Sequence, residues 1–463
     1  MNLIIVLSAL FFLMFIAYRG YSVILFAPVA ALGAVFLMDP RLVLPMFTSV
    51  FMEKMVGFVK LYFPVFLLGA VFGKVIELSG FSKSIVSAVI KLVGKERAML
   101  SIVLVGAFLT YGGVSLFVVV FAVYPFAAEM FRQSNIPKRL IPGTIALGAF
   151  TFTMDSLPGS PQIQNIIPTT FFKTTTWAAP WLGIVGSLFI FFCGLAYLGF
   201  RRRQAVENGE GYGEGHSNEP EAAAQEQLVN PWVAALPLVL VAVLNKVFTD
   251  LIPVFYGKTH ELSLLDGNKP IITDISKVAA IWAVEGALLI GISTVMVLAF
   301  QRVRKKFAEG SKSAVSGALL ASMNTASEYG FGAVIASLPG FLAIAALLKA
   351  IPNPLINEAV TVTTLAGITG SASGGMSIAL AAMAEQFITM ANQAGIPLEV
   401  LHRVASMASG GMDTLPHNGA VITLLTVTGL THSQSYKDIF AMTLIKTTAV
   451  FVVIGFYFLT GIY

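Results

Sequence analysis

Met154-Asp155-Ser156-Leu157-Pro158 and Met412-Asp413-Thr414-Leu415-Pro416 are one phrase written twice, each time inside apolar sequence. Upstream of each lies the pattern M-x-x-Q-x-x-I-P, carried by Met130, Gln133, Ile136 and Pro137 in the first half and by Met390, Gln393, Ile396 and Pro397 in the second. Further upstream lies a small-residue cluster, Thr110-Tyr111-Gly112-Gly113-Val114-Ser115 and Thr369-Gly370-Ser371-Ala372-Ser373-Gly374-Gly375. Three elements in the same order in both halves indicate a duplicated unit. Each unit ends on a carboxylate followed by a helix-breaking proline.

Composition sets the solvent in which that unit works. The chain has 463 residues, 56% hydrophobic and only 11% charged, with mean hydropathy +0.82. Soluble globular chains carry roughly 25% charged residues, so this is a polytopic, all-α membrane protein. A single cysteine, Cys193, excludes a disulfide framework and a cysteine-based metal site, and the five histidines show no metal-ligand spacing. No metal or cofactor is expected. The net charge of +5 reads as membrane orientation, with no sign of nucleic-acid binding. The stretch 2–17 lacks the basic start and small-residue cleavage site of a leader and is read as a span.

A span needs about 20 apolar residues. Helices are expected near 2–17, 22–38, 45–79, 140–172, 180–200, 231–249, 277–300, 315–349, 399–430 and 438–460. Two further apolar stretches, 98–126 and 357–384, carry the small-residue clusters between charged flanks and are read as re-entrant hairpins. Arg201, Arg202 and Arg203 follow one span, and Arg302, Arg304, Lys305 and Lys306 follow another. Placing both groups in the cytoplasm also places Arg19, Lys83, Lys91, Lys95, Arg97, Arg132, Lys138 and Arg139 there, as the positive-inside tendency requires. Lys54, Lys60, Lys74, Lys173 and Lys349 depart from it. With this topology the hairpins enter from opposite sides, and the halves 1–200 and 231–463 are inverted repeats. The polar segment 201–230 between them is expected to be a flexible cytoplasmic linker, and 250–276 the sizeable external loop.

The chemistry follows from the breaks. Asp155 and Asp413 lie within spans, where a carboxylate is costly unless paired, hydrogen-bonded or protonated. Pro158, Pro161 and Pro416 each interrupt the helix and free N–H groups on one half-helix and C=O groups on the other. The N–H ends suit an organic carboxylate, and the C=O ends with an aspartate suit a cation or proton. Against this stands the plain alternative that each aspartate only caps the next half-helix. Gly112, Gly113, Gly374 and Gly375 suit tight hairpin tips, and Tyr111, Ser115, Ser371 and Ser373 add hydroxyls there. Small residues also serve helix packing in membranes. Ser156, Gly159, Ser160 and Gln162 after the first break, and Thr414, His417 and Asn418 at the second, complete the candidate substrate site. His417 is either a proton carrier or a neutral hydrogen-bond partner. Glu328, in the polar run Asn324–Gly332, is either a coupling carboxylate or half of a structural pair. Glu285 is a further intramembrane carboxylate, and Glu77 reads as interfacial. No basic residue sits in either motif, so an anionic substrate would meet helix ends and hydroxyls.

The order of hairpin, M-x-x-Q-x-x-I-P and MD[ST]LP, with a polar linker between the halves, resembles the gluconate:proton symporter (GntP) family within the ion transporter superfamily. The resemblance covers nearly the full chain and is closest in appearance to the D-beta-hydroxybutyrate permease branch. It implies a bacterial inner-membrane symporter of small hydroxy-carboxylates. It also implies a homodimer in which a transport domain holding both hairpins moves, elevator-like, against a scaffold. The Ser-Asn-Thr tips of sodium-coupled dicarboxylate relatives are absent, which favours protons over sodium.

The sequence therefore predicts a secondary active importer of 3-hydroxybutyrate or a related hydroxy-monocarboxylate. Protons would be coupled through Asp155, Asp413, His417 or Glu328, with sodium-coupled or sugar-acid transport as the alternative. An intramembrane aspartyl protease also needs two membrane aspartates, but its Gly-x-Gly-Asp signature is not met by Gly410-Gly411-Met412-Asp413. An anion channel with re-entrant hairpins is separated by flux against a gradient.

Overall fold

The computed structural model describes residues 2–19, 21–94, 97–220, 228–262, 270–341, 351–416 and 418–463. Apart from one short β-ribbon, its elements are helices. The first group is α1 (Asn2–Tyr18), α2 (Val23–Met38) and the long α3 (Pro40–Leu78). Within α3 the first turn is tight, capped by Asp39, and Phe47–Met52 form a π-helical turn. The amphipathic α4 (Phe81–Val93) follows, outside every expected span. Its charges, Lys83 and Lys91, interrupt the apolar run on which spans are recognised.

Two helices joined by a short turn come next, α5 (Ala98–Tyr111) and α6 (Leu116–Gln133). Then α7 (Ile141–Ala149), the single turn α8 (Phe152–Asp155) and α9 (Ile163–Phe172) divide the stretch 140–172. The α10 helix (Pro180–Glu207) closes the first half. In the second half α11 (Pro231–Tyr256) and α12 (Ile275–Val303) flank an antiparallel ribbon of β1 (Thr259–Leu262) and β2 (Ile271–Asp274), with Thr259 opposite Asp274. Next is α13 (Phe307–Ser337). The span expected over 315–349 is helical to Ser337, and 342–349 lie outside the described residues.

A second helix pair, α14 (Pro354–Thr369) and α15 (Ala372–Gln393), is followed by α16 (Leu398–Gly410), a 3-10 turn (Gly411–Thr414), α17 (Gly419–Thr428) and α18 (His432–Thr460). Both halves thus run helix pair, interrupted helix, long helix. Among the described helices, α3, α10, α11, α12 and α18 are long and apolar enough to cross a membrane. Large apolar side chains cover the outer faces. Trp232, Val254 and Phe255 on α11 and Val297 on α12 are at least 79% exposed, the surface expected of helices in lipid.

The interrupted helices lie in the interior. The α5 helix packs on α7, α9 on α15 and α16, and α10 on α18, while α3 packs on both α12 and α13 at one side. The expectation of a flexible linker over 201–230 is corrected for 201–220. The α10 helix runs on to Glu207, and the segment after it is docked. Tyr212 N donates to Asn135 Oδ1 at 3.0 Å, and Lys138 Nζ donates to Ser217 O at 2.7 Å. Tyr124 Oη donates to Asn218 O at 2.7 Å, and Asn218 Nδ2 to Thr426 O at 2.9 Å. Lys138 is buried, and the segment supplies its counter-charge, Glu219, at 2.8 Å. A polar composition here satisfies buried helix ends, which need partners wherever water is excluded.

Candidate functional site

The first break begins where α7 ends at Phe150. Ser156–Gln162 are non-helical because Pro158 and Pro161 lack amide donors. Gly159 turns the chain at φ +75, and a Cβ there would overlap the Trp177 indole. Neighbours satisfy the freed backbone. Gly159 N donates to Thr176 O at 2.9 Å, Asn245 Nδ2 of α11 to Gly159 O at 2.9 Å, and Ser160 Oγ to Thr153 O at 2.6 Å.

The turn between α5 and α6 is fastened to this break. Tyr111 Oη donates to Pro158 O at 2.8 Å, and Gln162 Nε2 donates to Thr110 O at 2.8 Å. The turn is tight because Gly113 adopts φ +92 and Gly112 lies directly against Leu238. Ser115 begins α6 without a side-chain cap bond.

The second break is fastened in the same manner. Asn418 Nδ2 donates to Gly370 O at 3.0 Å in the turn between α14 and α15, and Asn418 Oδ1 caps α17 by accepting from Ala420 N at 2.8 Å. Ser371 Oγ caps α15, accepting from Gly374 N at 3.1 Å. Thr414 Oγ1 is 2.6 Å from Thr443 Oγ1. Ala366 backbone leaves no room for a Cβ on Gly375. His417 lies outside the described residues.

The two aspartates occupy different settings. Asp413 Oδ2 accepts from Gln164 Nε2 of α9 at 2.8 Å, and its Oδ1 faces Ala372 N, the first amide of α15, at 3.3 Å. It joins the first break's downstream helix to the second helix pair. Asp155, fully buried, has Ser156 Oγ on Oδ1 at 2.6 Å and Lys446 Nζ 2.8 Å from Oδ2. The ammonium directs its donors to the carbonyls of Phe150, at 2.9 Å, and Gly410. Gly410 cannot carry a side chain, since a Cβ would overlap the Asp155 carboxylate. Both aspartates lie within electrostatic reach of Lys446.

Arg403 of α16 is fully buried beside this pair. It donates to Ala178 O at 2.7 Å, to Asp155 O at 3.0 Å and to Asn165 Oδ1 at 3.0 Å. His402 bridges Thr174 Oγ1, at 2.6 Å, and Asn165 Oδ1, at 3.2 Å. These residues stitch α16 onto the first break. A buried cation is tolerated only when so many acceptors surround it.

Glu328 is almost fully buried, with its carboxyl against Ser371 and Gly374; the Oε2 atom has no hydrogen-bond partner. Thr325 Oγ1 lies 3.3 Å from Ser373 Oγ. No cation faces Glu328 among the described ion pairs, so a structural salt bridge does not account for it there. Glu77 forms an exposed pair with Lys74 at 2.8 Å, and Glu285 is half-buried on α12.

Lys446, which lies outside both motifs, brings a positive charge directly to Asp155. Sequence reasoning also passed over Arg403, His402, Asn165 and Glu358. The signal was present: a lone basic residue in an apolar span needs an anionic or carbonyl partner. Glu358, 0% exposed on α14, has no hydrogen-bond partner for either carboxyl oxygen.

No protein-family model matches the chain. Among solved structures, the YdaH transporter of Alcanivorax borkumensis aligns with TM-score 0.48 at 15% identity, over 92% of this chain and 90% of that one. Among curated proteins, the chain is 59% identical to "Uncharacterized transporter YxjC" of Bacillus subtilis (strain 168), over 471 aligned residues covering 100% of both chains. With that identity over the full length and with helices of membrane-crossing length, the chain belongs to the family of YxjC and is a multi-pass membrane transporter, not an enzyme.

Proposed function

We propose that the protein is a secondary active symporter that imports a small hydroxy-monocarboxylate, 3-hydroxybutyrate or a close relative, together with protons. The observation that carries this reading is the pair of interrupted helices, each with a buried aspartate and each tied to the turn of a neighbouring helix pair. Interrupted spans with facing helix ends are how secondary transporters build a midplane site. The amide of Ala372 now faces the Asp413 carboxylate. A substrate carboxylate entering between the two turns would compete for that amide, and Asp413 would then take up a proton in place of the lost hydrogen bond.

In this reading the two halves are inverted repeats and the helix pairs are re-entrant. The segments 98–172 and 357–430 travel as one body against a scaffold that includes 22–60 and 231–300. The protein works as a homodimer in the bacterial inner membrane, with the linker cytoplasmic. The resemblance to the gluconate:proton symporter family supports the substrate class. The test is uptake with competition: purified protein in proteoliposomes is given labelled 3-hydroxybutyrate or, in parallel, labelled gluconate, and unlabelled acids are added in turn. Inhibition by short hydroxy acids and none by gluconate is expected. The reverse order assigns the protein to sugar acids, and no uptake of either overturns the substrate class.

A further inference from the structure

The Lys446 ammonium lies where three oxygens converge from three different elements. It donates to Phe150 O at 2.9 Å and to Gly410 O, and Asp155 Oδ2 is 2.8 Å away. Phe150 is the C-cap of α7, and Gly410 is the last residue of α16. Each interrupted helix therefore contributes one carbonyl from its C-terminal end, where the partial charge is negative. Asp155 adds a full negative charge. Neither side chain of the pair is more than 1% exposed. With bulk water shut out, a neighbouring cation offsets the negative charge of this cage.

Carbonyls freed at half-helix C-termini, joined by a carboxylate, are the donor set with which transporters hold a co-transported sodium ion. Hard cations prefer such oxygen ligands. Here α18 delivers the positive charge on a side chain instead. Gly410 is what lets the carboxylate and the ammonium close on each other, because any Cβ there would occupy their space. We propose that Lys446 is a tethered cation that permanently fills a sodium-type site between the two interrupted helices, so that this transporter binds no sodium there. The inference rests on the reading of the breaks as the transport site. It would let a sodium-type architecture work without sodium at this position, and it leaves Asp413 and Glu328 as carboxylates near the breaks that no described ion pair neutralises.

The test needs no substrate, so it stands apart from the identity of the transported acid. The full-length chain, purified in detergent, is unfolded thermally in sodium chloride, potassium chloride and N-methylglucamine chloride at equal ionic strength. Wild type is compared with Lys446→Ala and with the double variant Lys446→Ala/Asp155→Asn. The wild type is expected to melt at one temperature in all three salts. Lys446→Ala is expected to melt lower in N-methylglucamine and to regain at least about 2 °C in sodium, as a ligand bound only by the folded state requires. The double variant, having lost the anionic oxygen, is expected to show no sodium-specific gain. If Lys446→Ala is recovered as monodisperse protein only when prepared in sodium, the proposal is likewise supported. Sodium stabilisation of the wild type overturns it. So does indifference of Lys446→Ala to sodium, an equal response of the double variant, or aggregation of Lys446→Ala in every salt.

Discussion

Three glycines show how closely the buried charges are fitted. A Cβ on Gly410 would enter the space of Asp155 Oδ2 and lie 2.9 Å from Lys446 Nζ. A Cβ on Gly374 would enter the Glu328 carboxyl, whereas Gly419 has open space. Gly410→Ala is therefore expected to force the ion pair apart and to destabilise by about 1–3 kcal/mol, the range for overpacked interiors. Gly419→Ala, at the start of α17, is expected to be neutral or slightly stabilising. Thermal unfolding of the two variants side by side checks this, and equal melting temperatures would remove the steric argument. The aspartates themselves were legible in the sequence, because a carboxylate in an apolar run stands out. Their partners were not. Lys446 is far along the chain in α18, and nothing local says that a single lysine there faces Asp155 and not a lipid headgroup. Arg403, seven residues before Gly410, was hidden by the same habit of reading motifs and not isolated charges.

Each turn between paired helices is held to its break in part by an amide side chain, Gln162 on Thr110 O and Asn418 on Gly370 O, at 2.8 and 3.0 Å. Removing one such bond costs about 1 kcal/mol. Gln162→Ala is expected to raise hydrogen exchange in 110–115, and Asn418→Ala in 369–375, each without affecting the other turn. An equal rise in both turns from either variant would mean that they open as one unit. The docked start of the linker adds a pH-dependent fastening. Arg139 Nε lies 2.6 Å from Glu210 Oε1 and holds the Glu210 carboxyl below its ordinary value of 4.5 by hydrogen bonding. The contribution is present above about pH 4.5 and is lost as pH falls through the lower folded value. Since the pair is partly exposed, it is worth under about 1 kcal/mol. A nitroxide at position 214 should be restrained at neutral pH and loosen below about pH 4.5, while Glu210→Gln should loosen it at both. Arg139 Nη1 also lies 3.3 Å from Asp438 Oδ2 of α18, and restraint unchanged by acid and by substitution would leave Arg139 to that carboxylate alone. For the helices of membrane-crossing length, sequence reading placed one end of each within a few residues, but it ended α10 at 200 and α11 at 249, short of Glu207 and Tyr256, and began α18 at 438, past His432. It missed α4 because two lysines interrupt its apolar run, and it misread 201–220 because polar composition does not distinguish a solvated coil from one that caps buried helix ends.

In the proposed reading of the whole molecule, the duplicated order of elements links orientation to motion. The basic residues after α10 and α12 favour a cytoplasmic position for both ends under the positive-inside tendency. In a variant with Cys193 replaced, a cysteine at exposed Asn208 or Glu214 is expected to react with impermeant maleimide only from the cytoplasmic face. Labelling from outside would invert the topology and with it the direction of both helix pairs. The coupling role is a stronger demand. Asparagine keeps the shape of Asp413 and an acceptor for Gln164 but cannot titrate, and it serves equally well as a plain helix cap. The deciding measurement is uptake of labelled 3-hydroxybutyrate into proteoliposomes under an imposed proton gradient, with exchange at equal pH as the companion, for wild type and Asp413→Asn. The account predicts uphill accumulation by the wild type, none by Asp413→Asn, and exchange at least partly retained in the variant. Accumulation by Asp413→Asn at the wild-type level would contradict it and reduce the paired motif to a structural joint.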